Sequence, residues 1–146
     1  MANDKVKVSC GNCGTTNFFP LGAEGKRVVC GHCKTRLAPP GTVLEPSAAQ
    51  MENLFRNSGL PILVDFYSPT CAPCMMMHPI VERLAKRRAG ELVAVRINVE
   101  SAPELAQSFD IRAVPTFVVV SKGVERARTA GASSEMDFSL WVASQT

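Results

Sequence analysis

No apolar run in this 146-residue chain approaches the roughly 18 residues that a membrane helix needs. The first residues, MANDKVKVSC, are charged and hold no apolar h-region, so neither a secretory leader nor a membrane anchor is expected. The chain also lacks any cysteine outside a pair, since all six fall in Cys-x-x-Cys, within SCGNCG, VCGHCK and TCAPCM. Without a leader, a reducing cytoplasmic setting is expected, where such pairs bind metal or exchange electrons rather than staple a fold. Nor is there a strong excess of one charge. The net charge of +3 is carried by residues 1–36, where Lys5, Lys7, Lys26, Arg27, Lys34 and Arg36 outnumber Asp4 and Glu24. Four thiolates on one zinc ion bring a formal charge of about −2, which leaves only a weak footprint for nucleic acid.

A chain of this length with 46% hydrophobic residues can fill one domain core and carry a small appendage. Residues 1–37 read as the appendage, two knuckles joined by a strand-and-turn segment, with too little apolar surface to fold alone. The stretch RLAPPGTVLEPS follows, and residues 38–46 are expected to be a linker running into a first strand near 42–45. From 47 to 146 helical and strand patterns alternate. SAAQMENLFRNSG opens on a capping serine, PILVDFY is a buried strand, and CAPCMMMHPIVERLAKRRAG is a long helix with Pro79 inside it. ELVAVRINV is a strand, APELAQSFD a short helix, PTFVVVSKGVERARTAG a hairpin about Ser121–Gly123, and SSEMDFSLWVASQ a terminal helix. The order implies an α/β fold, a mixed sheet with helices on both faces.

Cys10, Cys13, Cys30 and Cys33 give C-x2-C-x16-C-x2-C, the spacing of a four-cysteine zinc ribbon, and one structural zinc ion is expected on them. The competing reading takes Cys-Gly-His-Cys at 30–33 as an isomerase-like dithiol. Such a dithiol needs a helix behind it to stabilise a thiolate, and here Lys34–Leu37 run straight into Pro39 and Pro40. His32 is expected to face solvent and to be able to donate to a sulfur.

Cys71 and Cys74 have the context that the second pair lacks, a buried strand before them and a long helix after. At the helix start unpaired N–H groups favour an anion, so Cys71 is the expected nucleophile. Cys74, a turn deeper, is expected to close a disulfide on Cys71 and expel a reduced product. Asp65, the one acid in an otherwise buried strand, is expected to have a raised pKa and to take the proton from Cys74. Met75, Met76 and Met77 point about 100° apart in turn and cannot converge on a copper ion, so they are expected to fill the core. His78 lies one turn beyond Cys74 on the same flank, close enough that it could perturb that thiol, and the sequence leaves its role open.

VDFYSPTCAPC, Pro79 within the helix, DIRAVPTFVVVSKG and Gly131 together resemble the thioredoxin family. With the four-cysteine ribbon in front, the chain is similar in particular to the bacterial thioredoxin 2 type. The resemblance implies the thioredoxin fold, a central mixed β-sheet flanked by helices, with a cis peptide before Pro115, and it gives Pro115 the role of facing the dithiol and aligning a substrate strand. It also implies reduction of disulfide-containing client proteins by a monomer that thioredoxin reductase recharges from NADPH. Thr70 and Ala72 stand where the family usually has tryptophan and glycine, and Met75 where it often has lysine. Arg96 stands where a lysine is common and is expected to hold Asp65 more firmly ionised. Two other functions for the ribbon follow from the residues: client docking through Phe18, Phe19 and the basic side chains, and oxidant sensing by zinc release.

Overall fold

A computed structural model describes residues 5–146, so the charged stretch 1–4, with Asp4, lies outside the described residues. The N-terminal segment holds one strand more than the sequence reading gave it. KVKVS alternates polar and apolar side chains and forms β1 (Lys5–Ser9), which pairs antiparallel with β2 (Thr16–Pro20). Alternation divides the two adjacent phenylalanines of β2. Phe19 is 1% exposed and packs with Cys10, Cys30 and Leu37, whereas Phe18, paired with Lys7, is 61% exposed.

The larger sheet has the order β3-β5-β4-β6-β7. Its strands are β3 (Val43–Leu44), β4 (Ile62–Tyr67), β5 (Val93–Asn98), β6 (Thr116–Ser121) and β7 (Val124–Ala130). The first three in that order run parallel and the last two antiparallel, which makes the mixed sheet of the thioredoxin fold. Helices α1 (Ala48–Asn57) and α3 (Pro103–Ser108) cover one face, and α2 (Ala72–Arg87) and α4 (Glu135–Gln145) the other. The caps are those the sequence carries. Ser47 Oγ accepts the Gln50 N–H at 3.2 Å and Gln50 Oε1 accepts the Ser47 N–H at 3.0 Å, while Ser134 accepts from Asp137. No described helix is long and apolar enough to cross a membrane.

Strand parity decides where the chemistry sits. Ile62, Val64 and Phe66 of β4 point towards α1 and α3, so Leu63 and Asp65 must point towards α2. In β5 the same alternation sends Val93, Val95 and Ile97 one way and Ala94 and Arg96 the other. Asp65 and Arg96 are register partners, so the acid and its cation share the floor beneath α2.

The ribbon is seated along α1. Asn53 Nδ2 donates to the Asn12 carbonyl at 2.8 Å, Asn57 Nδ2 to the Cys13 carbonyl at 3.0 Å, and the Ser9 and Ser58 hydroxyls meet at 2.8 Å. Gly14 closes that seat at φ +83°, and a Cβ there would lie 2.3 Å from the Asn53 carbonyl oxygen. Gly14→Ala is therefore expected to lower stability by about 2 kcal/mol or more. Urea unfolding checks this, and an unchanged midpoint would refute the close seat.

Candidate redox site and metal centre

Cys71 and Cys74 are joined as a disulfide with their Cα atoms 5.2 Å apart. Cys71 caps α2, and its sulfur accepts the Cys74 N–H at 3.2 Å. Pro73 occupies the first turn, where its missing N–H costs no helical hydrogen bond. The two sulfurs are unequal in access: Cys74 is wholly buried and Cys71 half-exposed. The Val114 carbonyl oxygen lies 3.8 Å from Cys71 Sγ, and the Val114–Pro115 peptide is cis with Pro115 buried. Thr70 belongs to a polar chain at the same rim, since its hydroxyl meets Ser68 Oγ at 3.1 Å and Ser68 donates to Glu100 at 2.6 Å. Sequence reading missed the approach of the Val114 carbonyl and of Glu100, which reach the site from other segments.

The methionine expectation holds for one residue of three. Met77 is 1% exposed, but Met75 and Met76 are 40% and 66% exposed. The buried stripe of α2 runs through Cys74, Met77, Val81, Leu84 and Ala85, and Met75 and Met76 fall outside that arc. Of the basic helix end, Arg87 reaches Glu135 at 3.1 Å beside the Arg83–Glu135 pair at 2.8 Å, tying α2 to α4.

Asp65 is 1% exposed, and neither of its oxygens has a hydrogen-bond partner. Arg96 Nε lies 3.5 Å from Oδ2, and His78 Nε2 lies 3.9 Å from the same oxygen. Burial pushes the carboxyl up to about 6, against the opposing pull of Arg96. The rise expected from burial is therefore present, and the Arg96 charge, expected to hold the acid more firmly ionised, offsets only part of it. His78 reaches over Asp65 as well as following Cys74, with Tyr67 edge-on at 4.8 Å.

The sign of the Asp65 effect on stability follows. Unfolding returns the carboxyl from about 6 to its ordinary 3.8, so between those values the folded chain binds more protons and stability falls as pH rises. Asp65→Asn should stabilise the oxidised protein at pH 7 by about 2–3 kcal/mol, and the gain should vanish near pH 4. Chemical denaturation at the two pH values checks this, and an equal gain at both would refute the titration.

The N-terminal cysteines converge. All four sulfurs lie within 4.8 Å of one another, with Cys10–Cys33 and Cys13–Cys30 at 3.7 Å. A tetrahedral ion with Zn–S bonds of about 2.3 Å sets its sulfurs about 3.8 Å apart, so the donor set fits such a metal. The two knuckles repeat one backbone pattern. Cys10 and Cys30 donate to the Thr15 and Thr35 carbonyls at 2.9 and 2.8 Å, and Gly14 and Lys34 donate back to the Cys10 and Cys30 carbonyls at 2.9 and 3.0 Å. Backbone N–H groups of Asn12 and His32 meet the Cys10 and Cys30 sulfurs at 3.4 and 3.3 Å, as thiolates prefer. The exposed His32 thus donates through its backbone. Hydrogen bonds from Thr35 and Asn12 lower the Cys33 thiol to about 5. Of the two aromatics named for docking, only Phe18 is accessible.

Residues 42–144 match the family model described as Thioredoxin. The chain is 33% identical to thioredoxin C-3 of Corynebacterium nephridii over 141 residues, 94% of each chain, a match that extends into the ribbon. It is 36% identical to a thioredoxin of Haemophilus influenzae over 90 residues, covering 62% of this chain and 84% of that one. A solved mutant thioredoxin from Halobacterium salinarum superposes with a TM-score of 0.67 at 27% identity, covering 75% of this chain and 95% of that one.

Proposed function

The chain belongs to the thioredoxin family and is a thiol-disulfide oxidoreductase acting on protein disulfides; from that premise we propose how its residues divide the work. Reduced Cys71, as thiolate, attacks one sulfur of a client disulfide. A mixed disulfide forms and the first client thiolate leaves, taking a proton from water. Asp65 then receives the Cys74 proton as the Cys74 sulfur attacks Cys71, and the second client thiolate departs. Two electrons pass to the client, and the Cys71–Cys74 disulfide remains. Pro115 faces the dithiol and aligns the client strand. Thioredoxin reductase, using NADPH, restores the dithiol.

The observation that carries this reading is the unequal access of the two sulfurs at the start of α2, an outer Cys71 and a buried Cys74. An outer sulfur can meet a client, and an inner one can meet only its neighbour. Cys10, Cys13, Cys30 and Cys33 hold one zinc ion, which when bound cross-links the two knuckles and has no part in electron transfer. The chain divides into the ribbon at 1–37, a linker and strand entry at 38–46 and the catalytic domain at 47–146. It works in the cytoplasm as a monomer, without nucleic acid or membrane. Turnover of insulin disulfides with NADPH and thioredoxin reductase tests the reading. NADPH consumption that depends on this protein is expected, and a failure to reduce insulin with either thioredoxin reductase or dithiothreitol as the electron source would overturn it.

A further inference from the structure

Asp65 can receive a proton only if it can also pass that proton on. Its side chain is 1% exposed, so bulk water does not collect it directly. Among the described residues, two basic side chains come within 4 Å of its carboxylate, Arg96 at 3.5 Å and His78 at 3.9 Å. Arginine keeps its protons throughout the working pH range. Histidine does not.

His78 is placed for both ends of a transfer. Its Nε2 is buried, has no hydrogen-bond partner and is aimed at Asp65 Oδ2, while 18% of its side chain reaches solvent. The gap is about 1 Å longer than a hydrogen bond and lies within the swing of an imidazole. On α2 it follows Cys74 by one turn, so the same ring overlooks both partners of the resolving step. The groups facing it are Asp65 and Tyr67 from β4, Arg96 from β5, Glu82 from its own helix and Glu45 after β3. Tyr67 is pushed above its ordinary 10 by burial, and Glu82 reaches Arg96 at 3.4 Å rather than Asp65.

We propose that His78 is a positioning residue for thiol exchange, a proton relay between Asp65 and solvent, an inference that rests on the reductase reading above. When the dithiol closes, Asp65 gives the Cys74 proton to Nε2 of the neutral imidazole, and Nδ1 releases its own proton to water. When the disulfide is reopened, the leaving Cys74 thiolate needs a proton. Water then protonates Nδ1, and Nε2 returns a proton through Asp65. Each half-cycle restores the tautomer that the other consumed, so no ring flip is required. Burial, with the Arg96 charge behind it, holds the imidazole below its usual 6.5 and keeps it a neutral acceptor at pH 7.

The test mixes the reduced full-length protein with insulin and follows the mixed disulfide by acid quench and mass spectrometry. His78→Ala should slow resolution at pH 7 by about 10- to 100-fold, with the deficit shrinking at higher pH. Added imidazole should restore part of the rate, and in an Asp65→Asn background His78→Ala should cost nothing more. His78→Gln, which keeps the side-chain bulk, should be as slow as His78→Ala. An unchanged resolution rate would sink the relay, as would a loss that ignores pH and imidazole and adds in full to that of Asp65→Asn. Normal mixed-disulfide formation with any of these failures leaves the reductase reading standing, whereas a wild type that forms no mixed disulfide overturns both.

Discussion

Cys71→Ser is expected to reduce NADPH-linked insulin reduction to the uncatalysed background, a loss of at least about a thousandfold. A hydroxyl at a helix start remains protonated at pH 7, and the oxygen cannot form the mixed disulfide. Cys74→Ser should fail differently. Its Cys71 still attacks, but no inner thiol closes on it, so the client remains attached and appears as a covalent adduct on a non-reducing gel. The contrast follows from access, because the half-exposed sulfur is the one a client can reach and the buried one is not. A Cys71→Ser protein that kept even a tenth of wild-type turnover would reverse the assignment of nucleophile.

The second large effect is on metal. Cys30→Ser should reduce bound zinc from about one ion per chain to a small fraction and loosen the ribbon, while disulfide reduction continues. Among the described residues, Cys10 and Cys30 are fully enclosed in the ribbon core, beside the buried Phe19 and Leu37. With zinc bound there as proposed, losing the ion would remove the centre of that core rather than an ornament on it. Structural zinc contributes on the order of 10 kcal/mol to the folding of small modules, so amide exchange in β1 and β2 should rise far more than in β4. Metal analysis with hydrogen exchange checks both parts, and catalytic loss without metal loss would return CGHC to the redox reading. Zinc retained at peroxide levels that fully oxidise Cys71 and Cys74 would remove the oxidant-sensor alternative.

Elements and caps were legible because each is written locally: the capping Ser47, the Ser121–Gly123 turn, and the run of β-branched and aromatic residues about Asp65. The four-sulfur cluster was legible for the same reason, since knuckle spacing alone brings its ligands together. Strand parity and the buried phase of α2 are also written in the sequence. KVKVS alternates as a strand, an FF pair in a strand must split between faces, and Met75 and Met76 lie off a stripe that Met77 continues. The pairing of His78 with Asp65 was not available locally, because it depends on how α2 lies across β4. Nor was the balance at Asp65, where the depth of burial decides against Arg96.

If Cys71 attacks client disulfides as proposed, the Val114 carbonyl beside it bears on which clients are chosen. It lies outside the strands, and among the described residues it has no backbone partner of its own. A client amide N–H next to the attacked cystine would complete it, and every residue except proline carries that group. Selection by such a contact ignores side-chain identity and asks only whether a cystine can be presented on an extended, uncovered stretch of chain. The site would then discriminate by folding state: loosely folded or newly made chains offer their cystines, while compact proteins with enclosed ones are passed over.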